Sequence, residues 1–342
     1  EEIESLFEEL IQAWEETHKL DFPKNKKKRK EIISKAAMSA QGLDMLSAEN
    51  ALALAISITA EPNSKIIQSQ KEQHIKKSDV LEFVNTDLSL NDVGGFSALK
   101  EWLLCRKEAF TDKAKNYGLP WPKGVLLLGI PGAGKSHVSK AIASFLELPL
   151  LRLDISNVFS RYLGDSESRM RQALKIVEAV SPAVLWCDEI DKAMSGMESS
   201  GKTDSGVTAR VLSTLLTWRQ ETTHPVFMVC TANNPDMMPS MIYRKGRLDE
   251  VSAVDLPNTS EREEIFRIHL ERRKRDSSLF DTALLSNKSK NFTGAEIEAA
   301  IEDAMFNAFY EGIEVNTGHI LKSIDTTIPQ SDSSSDEYIK LK

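Results

Sequence analysis

Along the first eighteen residues Ile3, Leu6, Phe7, Leu10, Ile11 and Trp14 recur three or four positions apart, a spacing that lays one apolar stripe along a helix. The same period resumes at Ile32 and again through Ala48, Ala51, Leu52, Ala55 and Ile56, so residues 1–60 read as a small all-helical unit. From 61 to 91 the chain turns polar around one strand candidate, Val80–Val84, and is expected to be a linker. The period then changes. Val125–Leu128, Leu150–Asp154, Ala183–Cys187, Val226–Cys230 and Glu250–Val254 are short, mostly apolar runs separated by helix-like stretches. Continuous rather than alternating hydrophobicity is the mark of strands buried on both faces. Strand and helix alternating over 92–256 predict an α/β unit, a parallel five-stranded sheet with helices on both faces. Helical patterns return over 257–327, and 328–342, with Ser-Asp-Ser-Ser-Ser-Asp-Glu, reads as an acidic disordered tail.

Composition narrows the class without changing this layout. With 342 residues, 41% hydrophobic and 27% charged, the chain exceeds one core and has ordinary globular usage. The longest apolar runs fall far short of a membrane span, and no secretory apolar segment opens the chain. It begins at Glu1 rather than Met, which leaves room for residues upstream. A net charge of −8 argues against a nucleic-acid coat, which needs a basic surface. The local exception is Lys24–Lys30, read as a solvated entry to the next helix, with a polyanion patch as the alternative. Three cysteines, Cys105, Cys187 and Cys230, make no CxxC pair, which suits free thiols in a reducing compartment, cytoplasm or plastid stroma. A faint internal repeat links Gly42-Leu43-Asp44 and the Ala-rich helix after it with Gly294-Ala295-Glu296 and the Ala-rich helix at 299–308.

The chemistry is concentrated in two motifs. Gly129-Ile130-Pro131-Gly132-Ala133-Gly134-Lys135-Ser136 fits GxxxxGK[ST], directly follows an apolar strand and leads at His137 into a helix-like stretch. Its glycines let backbone N–H groups face phosphate oxygens, and the helix N-terminus adds a positive dipole end. Lys135 is placed to reach the β/γ-phosphates, and Ser136 to ligate Mg²⁺. The second motif, Ala183-Val184-Leu185-Trp186-Cys187-Asp188-Glu189, is a buried strand ending in two carboxylates at the edge where open α/β sheets bind ligands. Asp188 is the candidate Mg²⁺ holder and Glu189 the candidate base for an attacking water. Asn233, after the run Val226–Cys230, is placed to orient that water. Arg244 and Arg247 are candidate arginine fingers for a neighbouring subunit's site.

Together these residues resemble the AAA branch of the AAA+ ATPases. Asp92-Val93-Gly94-Gly95 resembles the segment whose backbone contacts adenine, which implies nucleotide-binding roles for Val93 and Gly94 beside Pro131, Gly132, Ala133, Gly134, Lys135, Ser136 and His137. Thr231–Asp236 and Arg244–Asp249 resemble the second region of homology. Ile265–His269 and Phe292–Ile297 resemble the helical lid, which implies that His269, Gly294 and Ala295 line the nucleotide. Pro239 stands where relatives often have Asp, and Lys245 where Pro is common. Leu148–Asp154, Gly164–Arg171, Trp186–Lys192, Leu215–Glu221 and Arg244–Asp249 are similar to the AAA family named for a hypothetical chloroplast reading frame. On that likeness, 1–60 is the lid-like remainder of a degenerate upstream module.

The resemblance implies an Mg-ATP-hydrolysing motor, a homo-oligomer with hexameric rings, acting on a protein partner and not on a membrane. Tyr162-Leu163-Gly164 resembles the pore loop that grips a polypeptide, against the plain reading of a tyrosine packed at a helix start. Met194–Gly206, rich in Ser and Gly, fits a mobile second loop. Two other functions stay open. One is a motor on nucleic acid, disfavoured by the acidic charge and by the lack of a recognisable nucleic-acid motif; the other is a slow nucleotide-dependent switch, which needs no gripping ring.

Overall fold

The structure, a computed structural model, describes residues 2–18, 23, 25–40, 43, 45–59, 61–64, 66–67, 69–70, 80–159, 165–192, 204–238, 240–244, 246–329 and 331. Several expectations fall outside the described residues: Tyr162, Leu163 and Gly164, most of the Met194–Gly206 loop, Pro239, Lys245, Lys24, Gly42, Asp44 and nearly all of the acidic tail.

Three helices come first: α1 (Glu2–His18), α2 (Lys26–Ala40) and α3 (Met45–Thr59). Phe7 and Ile11 of the α1 stripe are fully buried and meet Ile33, Ala36, Leu52 and Ala55 in one core, with Ile3, Leu6, Leu10 and Trp14 partly buried against it. Alanines on α2 and α3 take no side-chain entropy and let the helices approach closely. Asn25 Oδ1 accepts the N–H of Lys27 at 3.0 Å and starts α2, and Arg29 pairs with Glu15 of α1 at 2.9 Å.

The second unit is a six-stranded sheet. Its elements follow in the order β1 (Leu81–Val84), α4 (Ser97–Leu104), α5 (Asp112–Tyr117), β2 (Gly124–Gly129), α6 (Lys135–Leu146), β3 (Leu150–Leu153), α7 (Ile155–Val158), α8 (Ser166–Val180), β4 (Ala183–Cys187), α9 (Asp204–Glu221), β5 (Val226–Ala232) and β6 (Glu250–Val254). Strand order is β1-β3-β4-β5-β2-β6, with β2 to β6 parallel as expected. The sixth strand is a correction to the linker reading. Leu81–Val84 runs antiparallel to β3, Leu81 opposite Leu153, because Leu81 is buried among Leu151, Leu153 and the side chains of α8. Asp154, read as the end of a strand, instead starts α7, its Oδ1 accepting the N–H of Ser156 at 2.9 Å and of Asn157 at 3.3 Å.

Alternate residues of each central strand serve opposite faces. Val125, Leu127, Val184, Trp186, Phe227 and Val229 pack on α4 and α6. Leu126, Leu185, Cys187, Met228 and Cys230 pack on α8 and α9. That two-sided burial is why the strands read as continuous apolar runs. The last unit is α10 (Thr259–Arg272), α11 (Thr282–Lys288), α12 (Gly294–Glu311) and α13 (Thr317–Thr326) around Phe266, Leu270, Leu285, Phe292, Ile301 and Ile320. Thr293 and Glu296 form a reciprocal capping box at the start of α12, Glu296 Oε2 accepting the Thr293 N–H at 2.7 Å.

Phe227 is fully buried in β5, its ring 6.3 Å from those of both Trp102 and Phe110. Phe227→Ala is expected to cost about 3–5 kcal/mol through the cavity it leaves, read as a lower urea midpoint. A loss under about 1 kcal/mol would show that this sheet face collapses around the deletion.

Candidate active site

The carboxyl ends of β2, β4 and β5 open onto a cleft of about 290 Å³ roofed by the last helical unit. Its lining brings together residues far apart in sequence: Val93 and Gly94, Pro131 through His137, Asp188 and Glu189, Asn233, and His269, Gly294 and Ala295. Every residue singled out for nucleotide, metal and water on a single subunit therefore meets here. Arg244 and Arg247 do not line the cleft. Arg244 is exposed, whereas Arg247 is buried, its Nη1 donating to Met241 O at 2.6 Å and its Nε without a partner among the described residues.

The loop after β2 has the cradle shape its glycines promise. Gly132 and Gly134 take φ of 75° and 87°, a left-handed backbone that costs other residues steric strain. A Cβ on Gly132 would also press to 3.0 Å from Thr293 Oγ1, so the loop sits tight under α12. Ala295 N–H donates to Gly132 O at 3.2 Å across that contact. Lys135, the first residue of α6, is buried, and its ammonium turns back to donate to the carbonyls of Gly129 and Ile130, both at 2.7 Å. Burial pushes its pKa down to about 8, against the attraction of Asp191, Asp188 and Glu189.

The end of β4 is organised by β5. Thr231 Oγ1 donates to Asp188 Oδ1 at 2.6 Å and accepts the Glu189 N–H at 2.8 Å. Glu189 is thereby held at a φ of 48°, uncommon for a residue with a side chain. Ser136 Oγ stands 3.4 Å from the same Asp188 oxygen. Arg152 of β3 approaches Asp188 Oδ2 at 3.7 Å, with its guanidinium 5.2 Å from the Trp186 ring centroid. The Glu189 carboxylate faces Lys192 Nζ at 2.6 Å from Oε2 and Asn233 Nδ2 at 3.5 Å from Oε1. Asn233 is itself placed by Asp191, whose Oδ2 accepts the N–H groups of Asn233 and Asn234, each at 3.0 Å.

At the other end the roof meets the sheet through polar contacts. Arg272 of α10 lies 3.2 Å from His137 Nε2, and Gly95 N–H donates to Glu264 Oε2 at 2.9 Å. His269 lies 3.3 Å from Glu298, yet burial pushes its pKa down, and burial with the nearby Arg272 does the same for His137. Both imidazoles are therefore neutral around pH 7.

Asp92, Phe96, Thr231, Ile265 and Glu298 also line the cleft and were not singled out from sequence. Thr231 had a signal: it is a polar residue inside an otherwise apolar strand end. Asp191 had only its place as the third acid after Cys187; that its carboxylate is buried is a fact of the fold. Nothing in the pattern marks Phe96, and Ile265 is marked only as the first residue of the lid-like segment Ile265–His269.

These features agree with the comparisons. Residues 125–256 match the family model "ATPase family associated with various cellular activities". The chain is 44% identical over 286 residues to the AAA domain-containing protein ycf46 of Trieres chinensis, covering 83% of this chain and 57% of that one. To the protein of the same name from Gracilaria tenuistipitata var. liui it is 48% identical over 266 residues, 78% of this chain and 54% of that one. To the ATPase family protein 2 homolog of Caenorhabditis elegans it is 32% identical over 244 residues, 69% and 33%. Residues 125–256 are an AAA domain. The chain spans a little more than half the length of those two ycf46 relatives. Among its described residues no helix is long and apolar enough to cross a membrane.

An AAA module binds ATP with Mg²⁺, and the residues here fit that pair. The cradle offers backbone N–H groups and one ammonium to phosphates. Among the described residues no three His, Cys, Asp or Glu side chains gather as a metal cage. One hydroxyl beside one carboxylate, hard oxygens both, suits an ion that keeps its remaining positions for phosphates and water.

The Lys135 ammonium generates a test. With its pKa near 8, about half of it is deprotonated in the empty cleft at pH 8, and a triphosphate beside it raises that pKa. ATP binding at about pH 8 is expected to take up about half a proton at Lys135, falling toward zero at about pH 6.5. Calorimetry in buffers of different ionisation enthalpy reads this directly. Equal uptake at both pH values, or uptake retained in Lys135→Met, would contradict it.

Proposed function

We propose that this AAA chain hydrolyses Mg-ATP in the cleft, and that it works as a ring-forming motor that remodels or threads a protein partner. The observation that carries the hydrolytic part is the arrangement at the end of β4: Asp188 beside Ser136, and Glu189 facing Asn233, all opposite the Gly129–Ser136 cradle. In this reading Lys135 leaves the Gly129 and Ile130 carbonyls for the β/γ-phosphates, where it offsets negative charge. Ser136 and Asp188 hold Mg²⁺, which supplies electrostatic stabilisation of the transferring phosphoryl group when bound. Glu189 accepts the proton of the attacking water, and Asn233 keeps that water in line. Val93, Gly94, His137, His269, Gly294 and Ala295 enclose the base and ribose end.

Of the two arginines read as fingers, the buried Arg247 does not suit the role, and the ring reading is supported by Arg244. Arg244 is exposed and outside its own cleft, as a residue serving a neighbour's site must be. Arg247 holds the Met241 carbonyl and so shapes the segment that presents Arg244. A protein partner is favoured over nucleic acid by the net charge of −8.

Glu189→Gln keeps the size of the side chain but cannot take a proton. Turnover is expected to fall by about 10²–10⁴-fold, with ATP affinity within about threefold of the parent, measured by steady-state hydrolysis and fluorescent-nucleotide titration. Near-parental turnover would require another base. Lys135→Ala is expected to lose nucleotide binding by the same titration. For the ring, Arg244→Ala should bind ATP yet hydrolyse it poorly, and mixing it with Lys135→Ala, whose arginines are intact, should restore part of the activity. Co-assembled mixtures with no recovery would count against a finger acting across subunits.

A further inference from the structure

Lys192 lies three residues beyond Glu189 and closes a turn on it, its N–H donating to Glu189 O at 3.0 Å. The turn points the side chain back, and Nζ lies 2.6 Å from Glu189 Oε2. The Glu189 backbone has little freedom to escape this partner. Its N–H is bound to Thr231 Oγ1 and its φ is held at 48°, so the carboxylate moves by side-chain torsions alone. The other carboxylate oxygen faces Asn233 Nδ2 at 3.5 Å. Each oxygen thus has a donor against it, whereas a general base needs one of them turned to a water.

We propose that Lys192 is a positioning residue that restrains Glu189, holding Oε2 on its ammonium in the resting cleft and so setting the basal rate of hydrolysis. This rests on the reading of Glu189 as the base. The strength of the pair suits the role. The side chains are 67% and 41% exposed, and an ion pair so open to water shifts an equilibrium by about two- to fivefold. That is enough to slow an idle enzyme and too little to survive any rearrangement that engages Lys192 elsewhere. A structural surface salt bridge would leave turnover untouched, because neither side chain supports a core.

The test uses the full chain with Lys192→Met, Lys192→Gln and Lys192→Arg, each also combined with Glu189→Gln. Basal kcat and KM for ATP are measured, together with binding of a fluorescent ATP analogue and thermal melting. Lys192→Met and Lys192→Gln are expected to raise kcat by about two- to fivefold with KM and melting unchanged, while Lys192→Arg stays at the parental rate. In the Glu189→Gln background the same substitutions should change neither hydrolysis nor analogue affinity. Parental or lower kcat in both Lys192→Met and Lys192→Gln, with Glu189→Gln inactive, overturns the restraint and leaves the base assignment standing. Parental turnover in Glu189→Gln overturns both.

Discussion

The hydroxyl of Thr231 ties the ends of two strands together, and the placement of Asp188 and Glu189 in the cleft depends on it. Parallel register puts Cys187 beside Cys230, so Asp188, just past the end of β4, comes out beside Thr231, which is still within β5. Thr231 then gives its proton to Asp188 and takes the N–H of Glu189. The second bond turns Glu189 into the left-handed region, a conformation that costs on the order of 1–3 kcal/mol for such a residue and persists only where its surroundings enforce it. The result is that two consecutive carboxylates point to different tasks, one toward Ser136 and the other toward Asn233. Asp191 extends the arrangement by holding the N–H groups of Asn233 and Asn234. The β4–β5 junction is therefore one hydrogen-bonded unit rather than two loops that happen to meet.

The cleft lies between two packed bodies with separate cores, joined at the site by a few polar bonds and by the Ile265 side chain set closely against Gly94. Ala295 N–H to Gly132 O, Gly95 N–H to Glu264, and Arg272 against His137 are single bonds between groups that water also satisfies. Interfaces of this kind permit relative motion of the bodies they join. The sheet, by contrast, is locked by side chains buried on both faces.

Much of this was legible in the residues. The apolar runs named β2 to β5 because their burial is two-sided, while β6, at the sheet edge, is largely exposed; the stripe on α1 named a helix because its burial is one-sided. The GxxxxGK[ST] spacing named the phosphate cradle, since the residue types a backbone cradle needs are themselves local. Val80–Val84 reads as a strand from its residues, but so short a run amid polar neighbours carries no sign of a partner seventy positions on; only the β3 edge makes it part of the sheet rather than of a linker. Asp154 was taken for strand because a capping residue and a strand end look alike until the backbone turns.

By itself the sequence determined which residues could do the chemistry: the glycines, Lys135 and Ser136 in one run, Asp188 and Glu189 in another, with family likeness adding Val93, His269, Gly294 and Ala295. These follow from local rules, residue type and spacing, that hold before any folding. Only the tertiary structure decided how they work on one another. It set Thr231 between the Asp188 carboxylate and the Glu189 N–H, turned the Lys135 ammonium onto its own loop, put Lys192 on Glu189, and left Arg244 exposed while burying Arg247. Such pairings depend on register between strands and on which donor reaches an oxygen first, and strand register is a property of the packed sheet that no single segment encodes.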